Sequence, residues 1–154
     1  MTILISGACG FMGREVAAQA KSSGIDVVCG VDIAAGVAPY QPDFPLYANY
    51  ADAPKADVVI DFSNWKPGAN VLDYATKHRV PVVIASTGLT DEQLHQIAEA
   101  SKREVCFFGT GERIRISHSA ENRGVFAAGA LRAAAFLMNQ QPGMYSMDDV
   151  VGQL

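Results

Sequence analysis

Thr2-Ile3-Leu4-Ile5-Ser6-Gly7-Ala8-Cys9-Gly10-Phe11-Met12-Gly13, running on into Arg14-Glu15-Val16-Ala17-Ala18-Gln19-Ala20, decides the fold. The first five residues are apolar and β-branched, which suits a buried strand. Three glycines at intervals of three follow, and the next stretch has helical composition. Strand, glycine-rich turn and helix in that order give a glycine pattern a physical use. A turn without side chains lets a diphosphate approach the backbone, and the helix behind it offers unpaired N–H groups and a partial positive charge. The spacing G-x-x-G-x-x-G is looser than G-x-G-x-x-G, because Ala8 stands where the stricter pattern has its first glycine. The alternative reading is a tight turn with Gly13 packing helix against strand.

A second unit strengthens the nucleotide reading. Asp26-Val27-Val28-Cys29-Gly30-Val31 reads as a strand, and Asp32 ends it nineteen residues beyond Gly13. An acidic group there meets the 2′-hydroxyl of an adenosine ribose. It also repels a 2′-phosphate, and residues 33–49 contain no Lys or Arg to attract one. The expected ligand is a dinucleotide, with NAD(H) preferred over NADP(H).

The rest of the chain alternates. Prolines at 39, 42, 45 and 54 make residues 33–56 loop-like, with a short strand near Leu46-Tyr47-Ala48. Asp57 to Phe62 and Val80 to Ala85 are apolar runs, as in strands covered on both faces. Pro67 to His78 reads as a helix with Ala69, Leu72, Ala75 and Thr76 inward, Pro67 suiting its first turn. Thr90 and Gln93 make a capping box for a helix reaching about Lys102. Glu104 to Phe108 is a further strand, Glu112 to His118 a wetter one, and Asn122 to Asn139 a closing helix. The expected fold is α/β, a single Rossmann-like domain with a doubly wound, mostly parallel sheet.

Ligands in such sheets lie beyond the carboxyl ends of the strands. Besides the turn and Asp32, that edge receives Asp61, Phe62 and Ser63 after one strand, Ala85, Ser86, Thr87 and Gly88 after the next, and Phe107 and Phe108 at the end of the last. Small residues there can meet ribose and nicotinamide through backbone atoms. Phe62 and Phe126 are candidates to flank a ring, although either also suits the core.

Composition excludes several classes. A net charge of −4 without a basic run argues against nucleic acid. Arg132 interrupts the longest apolar stretch, Gly124 to Met138, so no membrane span is expected. With a strand expected to open at the second residue, no signal peptide is expected. Cys9, Cys29 and Cys106 are scattered, fitting reduced thiols in the cytoplasm and no metal site. Cys9, inside the turn, is the one candidate for reactivity. A short-chain dehydrogenase needs Tyr and Lys four apart, and no tyrosine here has that partner. A CoA-binding or sensor module, or a nucleotide-free scaffold, remains compatible with the glycines alone.

Taken together, the motifs resemble the 4-hydroxy-tetrahydrodipicolinate reductase (dihydrodipicolinate reductase) family of bacterial lysine (diaminopimelate) synthesis. The resemblance rests on Gly7 to Gly13, Asp61-Phe62-Ser63, Ser86-Thr87-Gly88-Leu89 and the closing segment from Glu112 through Asn122-Arg123 and Phe126 to Ala130. It ends on Gly143-Met144-Tyr145-Ser146-Met147-Asp148-Asp149-Val150, similar to the family's G-[LM]-[FY]-x-M-x-D-V. The resemblance implies an NAD(P)H-dependent reductase. It puts Gly7, Ala8, Cys9, Gly10, Phe11, Met12 and Gly13 around the pyrophosphate and Asp32 on the adenosine ribose. It puts Ala85, Ser86, Thr87, Arg123 and Phe126 near the nicotinamide.

Two departures stand out. The family often has Arg where Phe11 stands, an aid to binding a 2′-phosphate, so Phe11 agrees with a preference for NAD. Family members are also substantially longer and carry E-x-x-H-H-x-x-K-x-D-x-P-S-G-T-A in a substrate and tetramerisation domain. No such pattern occurs here, and His78, His95 and His118 are isolated. Phe108 runs at once into Gly109-Thr110-Gly111, where the family continues A-N-x-S. The expected organisation is therefore 1–108 as the first part of a dinucleotide-binding domain, 109–111 as the splice replacing the substrate domain, and 112–154 completing the first domain. No catalytic residue is expected, and the chain should bind cofactor without efficient turnover, as a monomer or weak dimer.

Overall fold

The computed structural model describes residues 1–65, 71–102, 106–108 and 123–152. Its strands are β1 (Thr2–Ser6), β2 (Asp26–Val31), β3 (Leu46–Tyr47), β4 (Val58–Asp61), β5 (Val82–Ile84), β6 (Cys106–Phe108) and β7 (Gly143–Tyr145). Its helices are α1 (Phe11–Ser22), α2 (Val71–His78), α3 (Asp91–Ser101), α4 (Gly124–Leu137) and α5 (Met147–Val151). The strands form one sheet in the order β3-β2-β1-β4-β5-β6-β7. Every described pairing is parallel.

Strand periodicity divides the core in two. Ile3, Ile5, Val58, Ile60 and Val83 face α1 and α4, meeting Val16, Ala20, Ala130 and Ala134. Leu4, Val59, Val82 and Ile84 face the other way, onto Leu72, Tyr74, Ala75 and Ile97. Burial on both faces explains why the strands read as continuous apolar runs. Each fully buried Ile or Val contributes about 1.5–3 kcal/mol over leaving it exposed. Alanines along the inner face of α4 let it sit close to α1.

The predicted elements mostly recur with shorter bounds. Tyr74 is buried in α2 where Thr76 was expected, because its hydroxyl donates to the Pro54 carbonyl at 2.7 Å. The Thr90–Gln93 capping box is formed by both bonds, 3.2 and 2.8 Å. Two elements escaped the sequence reading, β7 and α5. Tyr145 of β7 packs edge-on against Phe136 at 5.5 Å, and Ser146 with Asp149 caps α5. The expected strand at 112–118, the splice at 109–111 and the first turn of the helix from Pro67 lie outside the described residues.

Candidate functional site

Chain order reverses between β1 and β4, since β2 and β3 lie on one side of β1 and β4 to β7 on the other. Open parallel sheets leave a crevice at such a switch point. Here a cleft of about 760 Å³ opens there. It is lined by Ser6, Gly7 and Gly10 from the first turn, Asp32 and Ile33 after β2, and Phe62, Ser63 and Asn64 after β4.

The turn has little freedom. Gly7 has φ of +75°, and a Cβ there would meet the Phe62 carbonyl oxygen at 2.9 Å. Its N–H donates to the Val31 carbonyl at 2.9 Å, fixing the turn to β2. A Cβ on Gly13 would fall 2.7 Å from the Ala8 Cα and nearer still to the Gly7 carbonyl. Gly13 thus sets how closely α1 approaches the turn. Gly10 is the N-cap of α1 and has no side chain to cap it, and the first turn carries no acidic residue. The opening N–H groups of α1 are left for an anion.

Asp32 stands beside this turn. Its Oδ2 accepts the Cys9 N–H and its Oδ1 the Ala34 N–H, both at 2.9 Å. A carboxylate has further lone pairs, so these bonds orient Asp32 without exhausting it. Cys9 itself is buried. Burial first, and then the Asp32 charge, push its thiol upward against a smaller pull from Arg14. The expectation of a reactive Cys9 is therefore corrected: a buried, protonated thiol is a poor nucleophile.

Beneath the cleft lies a group that the sequence placed at a strand end without giving it a role of its own. Asp61 is fully buried at the end of β4. Its Oδ1 accepts from Ser6 Oγ at 2.5 Å and the Ser63 N–H at 3.1 Å. Its Oδ2 accepts from Trp65 Nε1 at 2.7 Å and Ser86 Oγ at 2.9 Å. Four donors saturate the carboxylate, offsetting the cost of burying it. The Ser6 proton points at Asp61, so the Tyr50 hydroxyl, 2.6 Å from Ser6 Oγ, must be the donor in that bond. Burial, and secondarily the Asp61 charge, raise the Tyr50 phenol far above its usual range. Asp61 thus ties together the ends of β1 and β4, the turn after β5 and the wall of the cleft.

The far wall is aromatic and basic. Tyr74 lies 5.7 Å from Tyr50 and 4.5 Å from His78, centroid to centroid, and Lys77 joins them in the lining. Burial, then Lys77 and Lys55, hold His78 below the usual imidazole range.

The other expected site residues fall in three places. Ala8 and Met12 turn inward, Ala8 within the core and Met12 against it. Ser86 is buried, its one proton shared between Asp61 and the Ser63 carbonyl, 2.6 Å away. Ala85 and Thr87 flank it outside the cleft lining, Ala85 donating its N–H to the Asp61 carbonyl at 2.9 Å. Phe11 is exposed, with the Arg123 guanidinium 4.5 Å from its ring centroid. Phe126 is exposed nearby on α4 and does not line the cleft. Phe62 lines the cleft and also packs on the core. Among the described residues no His, Cys, Asp and Glu gather into a metal site, and no helix is long and apolar enough to cross a membrane.

A parallel sheet in this order, with a glycine turn and an uncapped helix at its switch point, defines a Rossmann-type α/β domain. Family comparison narrows the class. The model for "Dihydrodipicolinate reductase, N-terminus" matches residues 1–110, and that for "Dihydrodipicolinate reductase, C-terminus" matches 83–151. The chain belongs to the dihydrodipicolinate reductase family. A 4-hydroxy-tetrahydrodipicolinate reductase of Caldanaerobacter subterraneus subsp. tengcongensis is 28% identical over 248 aligned residues, covering 97% of each chain. Dipicolinate-bound dihydrodipicolinate reductase from Paenisporosarcina sp. TG-14 superposes with a TM-score of 0.51 at 22% identity, over 70% of this chain and 46% of that one. UDP-glucose 4-epimerase from Bifidobacterium longum, solved with NAD+ and UDP, gives 0.61 at 12% identity, over 95% and 77%. At those identities the two structures speak for the fold alone.

Proposed function

We propose that this chain is the dinucleotide-binding core of a dihydrodipicolinate reductase-like oxidoreductase, taking NAD(H) in preference to NADP(H). The observation that carries the reading is the uncapped end of α1 behind Gly7, Gly10 and Gly13, with Asp32 bonded to the same turn. These residues suit the group: the cradle is one a Cβ would fill, and Asp32 is placed for a ribose hydroxyl. By the family resemblance, Ala85, Ser86 and Thr87 offer backbone atoms at the nicotinamide end, and Arg123 and Phe126 belong to the same end. A nicotinamide bound there would supply a hydride; the protein's part is to hold and orient it.

Turnover needs more than the hydride. A substrate must be positioned and a proton delivered, and losing both functions costs many orders of magnitude in rate. The His-His and P-S-G-T residues that would do this are absent from the sequence. The alignment of 248 residues exceeds the 154 of this chain while reaching nearly end to end in both partners. That supports an internal omission, with 109–111 as the splice. Without a tetramerisation domain the chain is a monomer or weak dimer, in the cytoplasm.

A titration with NADH, followed by nicotinamide emission excited through Trp65, tests the binding half. Saturation at one equivalent is expected, with weaker binding of NADPH. A coupled reductase assay tests the other half, and turnover near that of a full-length relative would refute it.

A further inference from the structure

Asp32 is not the only charge tied to the glycine turn. Arg14, in the first turn of α1, donates from Nε to the Cys9 carbonyl at 2.9 Å. Its guanidinium also sits 5.2 Å from the centroid of the Tyr40 ring, which holds it on the side of the 33–49 loop. Asp32 accepts the N–H of that same Cys9. One residue of the turn therefore carries an anion on its N–H and a cation on its C=O. Among the described residues the two do not pair with each other, and the Nη groups of Arg14 make no hydrogen bond.

We propose that Arg14 is a specificity-determining residue, a phosphate-binding guanidinium already in place and held in check by Asp32. The inference rests on the reading that Asp32 meets the adenosine ribose. An acidic side chain there selects the 2′-hydroxyl, whereas a nearby arginine accommodates a 2′-phosphate. This chain has both, on opposite ends of one residue's backbone. A 2′-phosphate entering beside the turn meets repulsion from Asp32 and free N–H donors from Arg14. The preference for NAD is then a difference between two opposed charges, Asp32 at the end of β2 and Arg14 in α1. Nε is fixed by Cys9 and the guanidinium plane by Tyr40, so little entropy remains to be lost on engaging an anion.

The test is a four-protein cycle: wild type, Asp32→Asn, Arg14→Gln and the double variant, each titrated with NADH and NADPH at low and moderate salt. Asp32→Asn removes the charge and keeps one oxygen to accept the Cys9 N–H, giving up the bond from the Ala34 N–H. It is expected to tighten NADPH by about tenfold, the size of one charge-assisted hydrogen bond. Adding Arg14→Gln should abolish that gain, and Arg14→Gln alone should widen the NADPH-to-NADH ratio of dissociation constants. The last comparison carries the test if Asp32→Asn does not fold. An equal gain in NADPH affinity with and without Arg14 would overturn the proposal. So would an unchanged ratio in Arg14→Gln. Wild type binding neither dinucleotide would instead overturn the functional reading on which it depends.

Discussion

Two helices, α1 and α3, each follow a parallel strand and point their amino ends at the same edge of the sheet, yet those ends are finished in opposite ways. Thr90 closes α3 with a reciprocal bond to Gln93, and Asp91 and Glu92 add negative charge to its first turn. Gly10 leaves α1 uncapped and its first turn has no acid. The protein satisfies one helix with its own side chains and leaves the other for a ligand. The difference teaches that the opening of α1 is a local choice of residues, since the fold equally permits a closed end.

Four substitutions or conditions press on this comparison. Gly13→Val forces a side chain into the Gly7 carbonyl and the Ala8 backbone, which cannot yield. A loss on the order of 3 kcal/mol of stability is expected by chemical unfolding. Gly10→Asp makes the end of α1 resemble that of α3, at a position with φ −71° and ψ 168° that any residue can adopt. NADH affinity should fall about a hundredfold by fluorescence titration, while stability stays within about 1 kcal/mol of wild type.

The third concerns pH. Burial pushes the Cys29 thiol from its ordinary 9.0 to about 11. The folded chain keeps a proton there that the unfolded chain has released. This stabilisation is complete below pH 9 and lost as pH rises towards 11, at about 2–3 kcal/mol in all. Thermal melts across that window should show a steeper alkaline decline in wild type than in Cys29→Ala. The smallest effect falls on the closed helix. Thr90→Ala should cost about 1 kcal/mol by melting and leave NADH binding unchanged.

Sequence legibility follows from how local each interaction is. The glycine turn, the Thr90 box and the strand alternation are written in neighbouring residues, so they were readable. Asp61 was readable as a strand-end residue but its buried network was not, because its partners Ser6 and Ser86 lie 55 and 25 residues away. Tyr50 stood in a proline-interrupted stretch without periodicity. β7 was missed because three residues carry little pattern; its register comes from pairing with β6. Arg14 was read as an ordinary helical residue, since nothing in its neighbours shows that it reaches back to Cys9.

The most direct measurement is an amide NMR spectrum of the full chain during titration with NADH. The account predicts saturable shifts concentrated on the amides of Gly7 to Gly13 and on Asp32, with the Thr90 cap unmoved. Shifts that spare the amino end of α1, or no change at millimolar NADH, would contradict it.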